Sequence, residues 1–196
     1  VAAERTLREL EGRLPGDPQL LRARIYVLTA TDRLEDARAA MESLDREHPS
    51  AESAHQLAVL LQAMGDVEAA AVAARRAVEL DGEDGSLRRH LSDLLVATGS
   101  WEELVRRSAE AGASTVGGGL DSWFKGLALA KLGRKEEAIK ALSAVEAHGQ
   151  PSAVAIAGSA AWLLQLGAFE EAERASRRAL VPRPTDPALH HLLAMV

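Results

Sequence analysis

The chain contains no cysteine, which excludes disulfides, thiolate nucleophiles and cysteine metal ligands and leaves the compartment open. Aromatic residues are scarce at 3%, so the 47% hydrophobic fraction must build its core mainly from Leu, Ala and Val, the composition of close-packed helices. Neither sign of charge dominates. The formal charge is −6, with acidic and basic residues interspersed, so there is no basic field to hold phosphate backbones and nucleic acid is not an expected partner. No apolar run approaches the roughly 18–20 residues of a membrane-spanning helix, so this segment is not expected to insert into a membrane. No signal-peptide pattern is present in these residues. Because the chain starts at Val1 rather than a methionine, a leader upstream is not addressed, and both cytoplasm and periplasm stay open.

What the chain does have is a period. Gly65, Gly99, Gly133 and Gly167 stand 34 residues apart, each followed five residues later by Ala70, Leu104, Ala138 or Ala172. A fixed period of this length signals stacked supersecondary units in place of one globular core. Ala54, Leu57, Ala58 and Leu61 fall on one helical face, which predicts a helix over 51–64. Gly65 then relieves the steric cost of a left-handed turn, and Asp66 is suited to cap a second helix over 67–80 with Ala70, Ala74 and Ala77 on its inner face. Small residues there allow two helices to approach closely. The pattern recurs with Leu91, Ser92, Leu95 and Leu104, with Gly126, Leu129, Ala138, Leu142 and Val145, and with Ala160, Leu163, Ala172, Ser176 and Ala179. In the earliest full unit Ile25, Leu28, Ala37, Met41 and Leu44 repeat it, with Asp32 at the turn, a residue that tolerates left-handed backbone better than most. Residues 1–14 read as a second helix without its first, and 187–196 as a first helix without its second. The apolar tail Ala194-Met195-Val196 is not a polar cap, so the chain is expected to be a segment of a longer array; the alternative is a natural end with a swapped or dimeric contact.

These residues resemble the tetratricopeptide repeat (TPR) family. Residues 51–84 follow its pattern nearly throughout, with Gly82 in place of the closing proline, while Pro15, Pro49 and Pro184 occupy that position in other units and Trp101 and Phe169 the turn aromatic. Lys125 and Lys135 depart from it. The resemblance implies an all-α fold, a right-handed superhelical solenoid of antiparallel helix pairs. Its parts are a half-repeat at 1–17, repeats at 18–50, 51–84, 85–118, 119–152 and 153–186, and a half-repeat at 187–196, taken together as one domain.

No catalytic constellation is visible. The paired acids Glu102-Glu103, Glu136-Glu137 and Glu170-Glu171 open second helices, and Arg75-Arg76 and Arg177-Arg178 close them, an order that complements helix dipoles without any active site. His190 and His191 are adjacent and so point to different faces, which is not a metal pair. Gly112 and Gly117 have the spacing of a phosphate loop, but Gly118 stands where the lysine belongs, so 112–120 is expected to be a flexible connector. No enzyme activity, cofactor or metal is expected.

The resemblance also places first helices along the ligand-binding face. Arg22, Tyr26, His55, Arg89, Asp93, Trp123, Leu127 and Lys131 are the expected partner-contacting residues. Trp123 is an anchor candidate or, equally, a packing residue; Trp101 and Trp162 are expected to be structural. Capture of a chaperone C-terminal carboxylate is disfavoured, because of the corresponding residues Arg22, Tyr26, Gln56, Ser86 and His90 only Arg22 has comparable chemistry. The expected function is a non-catalytic protein–protein interaction scaffold, part of a larger bacterial protein, with a peptide or protein partner. The alternative is an accessory module of an exopolysaccharide synthesis, export or envelope assembly system that positions a polymer or a fused catalytic domain. Self-association through the open terminal helices is a further option.

Overall fold

The computed structural model describes residues 6–7, 9–10, 12–14, 16–110, 119–147 and 152–196. It is 79% helical, and eleven α-helices and no strand occur among the described residues. They are α1 (Pro18–Ala30), α2 (Leu34–Glu47), α3 (Ala51–Ala63), α4 (Val67–Leu80), α5 (Gly85–Ala97), α6 (Trp101–Glu110), α7 (Leu120–Lys131), α8 (Lys135–Ala144), α9 (Ala153–Gln165), α10 (Phe169–Leu180) and α11 (Pro187–Ala194). The all-α repeat reading is borne out, and the helix starting at 67 and ending at 80 falls where the period puts it. Most of the glycine tract expected to form a connector, residues 111–118, lies outside the described residues.

The turns are built alike. Gly65, Gly99, Gly133 and Gly167 have φ of +84°, +67°, +74° and +74°, and Asp32 holds the same position at +57°. After Gly65, the amide of Asp66 donates to the carbonyl of Leu61 at 3.0 Å, satisfying a carbonyl that the helix end leaves open. Arg33 to Leu28, Arg134 to Leu129 and Ala168 to Leu163 repeat that bond at 2.9 Å each. Each helix start in the first 84 residues that carries Asp or Ser at its cap is satisfied by that side chain. Asp17 accepts from Gln19 and Leu20, Asp66 from Ala69 and Asp84 from Ser86, while Ser50 and Ser53 form a reciprocal capping box.

Two compact units result, Val1–Thr98 and Gly99–Val196. In the first, α1 to α5 pack in chain order, each on the next. Ala37, Ala54, Ala58 and Ala70 are wholly buried, and Leu44, Leu61, Leu91, Leu94 and Leu95 fill the space between. Burial of each such leucine contributes about 1.5–3 kcal/mol. One carboxylate is enclosed with them, beside the buried hydroxyls of Ser53 and Ser92. Asp45 on α2 is 3% exposed, accepts from Ser53 Oγ of α3 at 2.8 Å, and is paired with Arg76 Nη1 of α4 at 2.5 Å. Three helices are thus pinned at one carboxylate whose charge is compensated and hydrogen-bonded, as burial requires.

In the second unit, α6 packs on α7, α7 on α8, α9 on α10 and α10 on α11; α7 also meets α9, and α9 meets α11, so first helices of successive repeats touch. Ala138 and Ala172 are buried at the crossings, as their spacing predicts. Gly126 is needed for close approach, since a Cβ there would lie 2.5 Å from Leu142 Cγ. Lys125, at a position where the repeat pattern has leucine, is half-buried, and its neighbour Phe124 fills the core at 2% exposure.

Candidate interaction surfaces and a histidine pair

The first helices of the first unit are α1, α3 and α5. Their outward residues meet across the helix boundaries. Arg22 Nη2 on α1 lies 3.8 Å from Glu52 Oε2 on α3. Tyr26, one turn further along α1, is 76% exposed, and Val59 on α3 is 47% exposed. From α3 to α5, His55 Nδ1 and His90 Nδ1 are 3.2 Å apart, with ring centroids 4.9 Å apart and the rings edge-on. His90 Nε2 is 2.9 Å from Gln62 Oε1. An amide oxygen only accepts, so Nε2 carries the proton, Nδ1 of neutral His90 is a bare lone pair, and His55 Nδ1–H donates to it. Burial, then the neighbouring His55, holds His90 below its ordinary value, against an opposing pull from Asp93. Burial pushes the Asp93 carboxyl up, against Arg89 and His90. Arg89 and Asp93 form a loose ion pair along α5 at 4.0 Å, with both side chains more than half exposed. Arg22, Tyr26, His55, Arg89 and Asp93 therefore all lie on the solvent-accessible side of first helices in the first unit, with Arg22 linked to Glu52, His55 to His90 and Arg89 to Asp93.

Trp123, Leu127 and Lys131 belong to α7 of the second unit. Trp123 is half-buried and packs against α9 at Gly158, where an added Cβ would lie 2.5 Å from Nε1. Its ring sits 4.8 Å from that of Phe124, and its buried Nε1 has no hydrogen-bond partner among the described residues. The packing role is what these contacts describe. Leu127, expected along an accessible face, is 6% exposed and part of the core, because α7 turns that flank inward. Lys131 is exposed, with its ammonium 5.2 Å from the centre of the Trp162 ring on α9, a cation–π contact. Trp162 packs against the core of the second unit, as a structural residue does.

The histidine pair is not legible within any single helix, since its two rings come from α3 and α5. His55 and His90 are 35 residues apart, one repeat plus one position, and the 34-residue period itself brings such positions side by side. The Asp45 clip joins residues 31 apart and carries no comparable signal.

Among the described residues no group of three or more His, Cys, Asp or Glu is placed to hold a metal ion, and no helix is long and apolar enough to cross a membrane. What these parts define is a helical-repeat protein. Models of the tetratricopeptide repeat match residues 51–84 and 125–187, and the protein is a member of the tetratricopeptide-repeat family. Its fold is similar to that of YrrB, described as a TPR protein with an unusual peptide-binding site, at a TM-score of 0.63 and 16% identity, covering 94% of this chain and 96% of that one. It is also similar to MamA from Desulfovibrio magneticus, from residue 41 to its end, at 0.64 and 13%, covering 86% and 97%. The thermophilic TPR protein TTC0263 of Thermus thermophilus matches at 0.58 and 22%, covering 91% and 97%. No match is found among functionally curated proteins.

Proposed function

We propose that this protein is a non-catalytic scaffold that binds a peptide or protein segment along the first-helix face of its first unit, with Tyr26 as the main anchor and Arg22, His55, Arg89 and Asp93 as polar contacts. A protein-interaction role is general to the fold. The observation that supports this particular face is Tyr26: a large aromatic left 76% exposed on α1, one turn along from Arg22, which reaches Glu52 on α3. Exposed aromatics flanked by paired charges supply anchor area with a polar rim. In the second unit Lys131 is the residue of the expected set that remains open to a partner, while Trp123 and Leu127 act through packing. The reading of residues 1–196 as one array of about five repeats, and of a bacterial source, belongs to this proposal.

The test uses a partner captured by cross-linking and then purified. Truncating a buried aromatic anchor commonly costs about 2 kcal/mol or more, so Tyr26→Ala weakens binding roughly thirtyfold. Val72→Ser, on the exposed side of second helix α4, leaves affinity unchanged. Full binding by Tyr26→Ala with loss in Val72→Ser overturns the assignment. The alternative, an envelope-polymer accessory role, draws no specific support from the first-helix face, where Tyr26 is the sole aromatic of α1, α3 and α5 other than histidine.

A further inference from the structure

We propose that His55 and His90 form a two-imidazole site for a divalent transition-metal ion of the zinc, nickel or copper type, bridging consecutive repeats of the first unit. The site shares His55 with the proposed partner face but does not rest on that reading. Its basis is the placement of two imidazole nitrogens, from different helices, at 3.2 Å. With metal–nitrogen bonds of about 2.05 Å, that separation corresponds to an angle at the metal of about 103°, close to tetrahedral. The shared proton between the two rings occupies the place a metal ion would take. His55 then carries its proton on Nε2, and near neutral pH no net proton is released.

Three features around the pair favour a cation. His90 presents Nδ1 as a lone pair because its Nε2–H is held by Gln62 Oε1, the kind of outer contact that fixes a ligand's tautomer and ring orientation. The carboxylates of Asp84, the cap of α5, and of Asp93 lie near enough to act electrostatically on His55 and His90 respectively. Both rings are half-buried, which limits their rotation while leaving one side open. Imidazole suits zinc, nickel and copper and not magnesium or calcium, which take oxygen ligands. With no third ligating group among the described residues, the remaining positions are filled by water or by a donor from a bound partner.

The experiment is titration of the 1–196 chain with Zn2+ alone in a non-coordinating buffer at pH 7.5, followed by calorimetry, with Cu2+ electron paramagnetic resonance on the same chain. One saturable equivalent is expected. His55→Gln and His90→Gln each weaken binding at least tenfold, and Gln62→Leu weakens it by about tenfold, as loss of an outer-shell partner does. A His190→Gln, His191→Gln double variant binds as the parent does. The Cu2+ spectrum of the unaltered chain shows coupling to two imidazole nitrogens, a readout that does not depend on any variant folding. Absence of saturable binding, undiminished binding in the His55→Gln, His90→Gln double variant, or loss of binding in the His190→Gln, His191→Gln variant overturns the site.

Discussion

Replacing Gly158 by alanine tests how α7 and α9 are held together. In the middle of a helix, Gly→Ala is ordinarily worth about 1 kcal/mol in favour of folding. At this position the new Cβ would lie 2.5 Å from Trp123 Nε1, 2.8 Å from Cε2 and 3.1 Å from Cζ2. Non-bonded heavy atoms rest about 3.5–4.0 Å apart, so the indole must retreat by roughly 1 Å. It is rigid, half-buried and flanked by Phe124. Overpacking of this kind costs about 1–3 kcal/mol, which outweighs the helix term and leaves Gly158→Ala destabilising by about 1 kcal/mol. The sign should reverse when the obstacle is removed. In a Trp123→Leu background the same change should stabilise by about 1 kcal/mol, a coupling of about 2 kcal/mol between the two positions. Urea unfolding followed by far-ultraviolet circular dichroism measures this, with equal slopes required before the free energies are compared, because repeat arrays depart from two-state behaviour. Stabilisation by Gly158→Ala in the parent chain would refute the argument and return Trp123 to the list of free partner-binding side chains.

Other consequences follow from the same contacts. Ala138→Leu enters a fully buried helix crossing and should cost roughly 1–3 kcal/mol, with lost hydrogen-exchange protection appearing in α7 and α8 first. Asp45→Ala should cost about 1–3 kcal/mol by removing the buried carboxylate that accepts from Ser53 Oγ and pairs with Arg76; the lower part of the range is expected, because Ser53 Oγ keeps the Ser50 carbonyl at 3.0 Å as an acceptor and the Arg76 side chain is 44% exposed. Gly65→Ala should cost about 1–2 kcal/mol through its left-handed backbone alone, since its added Cβ meets nothing, whereas Asp32→Gly should stabilise the equivalent turn. For His90, the folded value lies below the unfolded 6.5, so the unfolded chain binds more protons in the interval between them. Its contribution is complete above about pH 6.5 and is lost as pH falls through that interval, so thermal stability should drop there and His90→Gln should flatten the drop. Asp93 acts with the opposite sign and at more acidic pH, since its folded value is raised above 3.8.

The elements were legible because a repeat states its grammar several times over. A turn that needs φ near +74° selects glycine or Asp32, and a crossing that needs close backbones selects Ala70, Ala138 and Ala172; both demands are local in sequence and recur every 34 residues. The candidate surface was legible in part, as the outward positions of first helices. In α7 the surface differs from the expectation, since Leu127 is buried together with Phe124 beside half-buried Lys125. Single residues in a periodic pattern do not disclose this, because a helix presents several flanks and the neighbouring helix decides which is covered.

By itself, then, the sequence determined the all-α repeat architecture, the turn chemistry and the small-residue crossings, all consequences of backbone geometry and helical spacing. Only the tertiary structure decided that Trp123 is committed to Gly158, that Asp45 is shared by three helices, and that His55 and His90 face one another within hydrogen-bonding distance. Those facts depend on rotamers and on the approach of residues some 30 to 35 positions apart, where a shift of 1 Å separates a contact from open solvent.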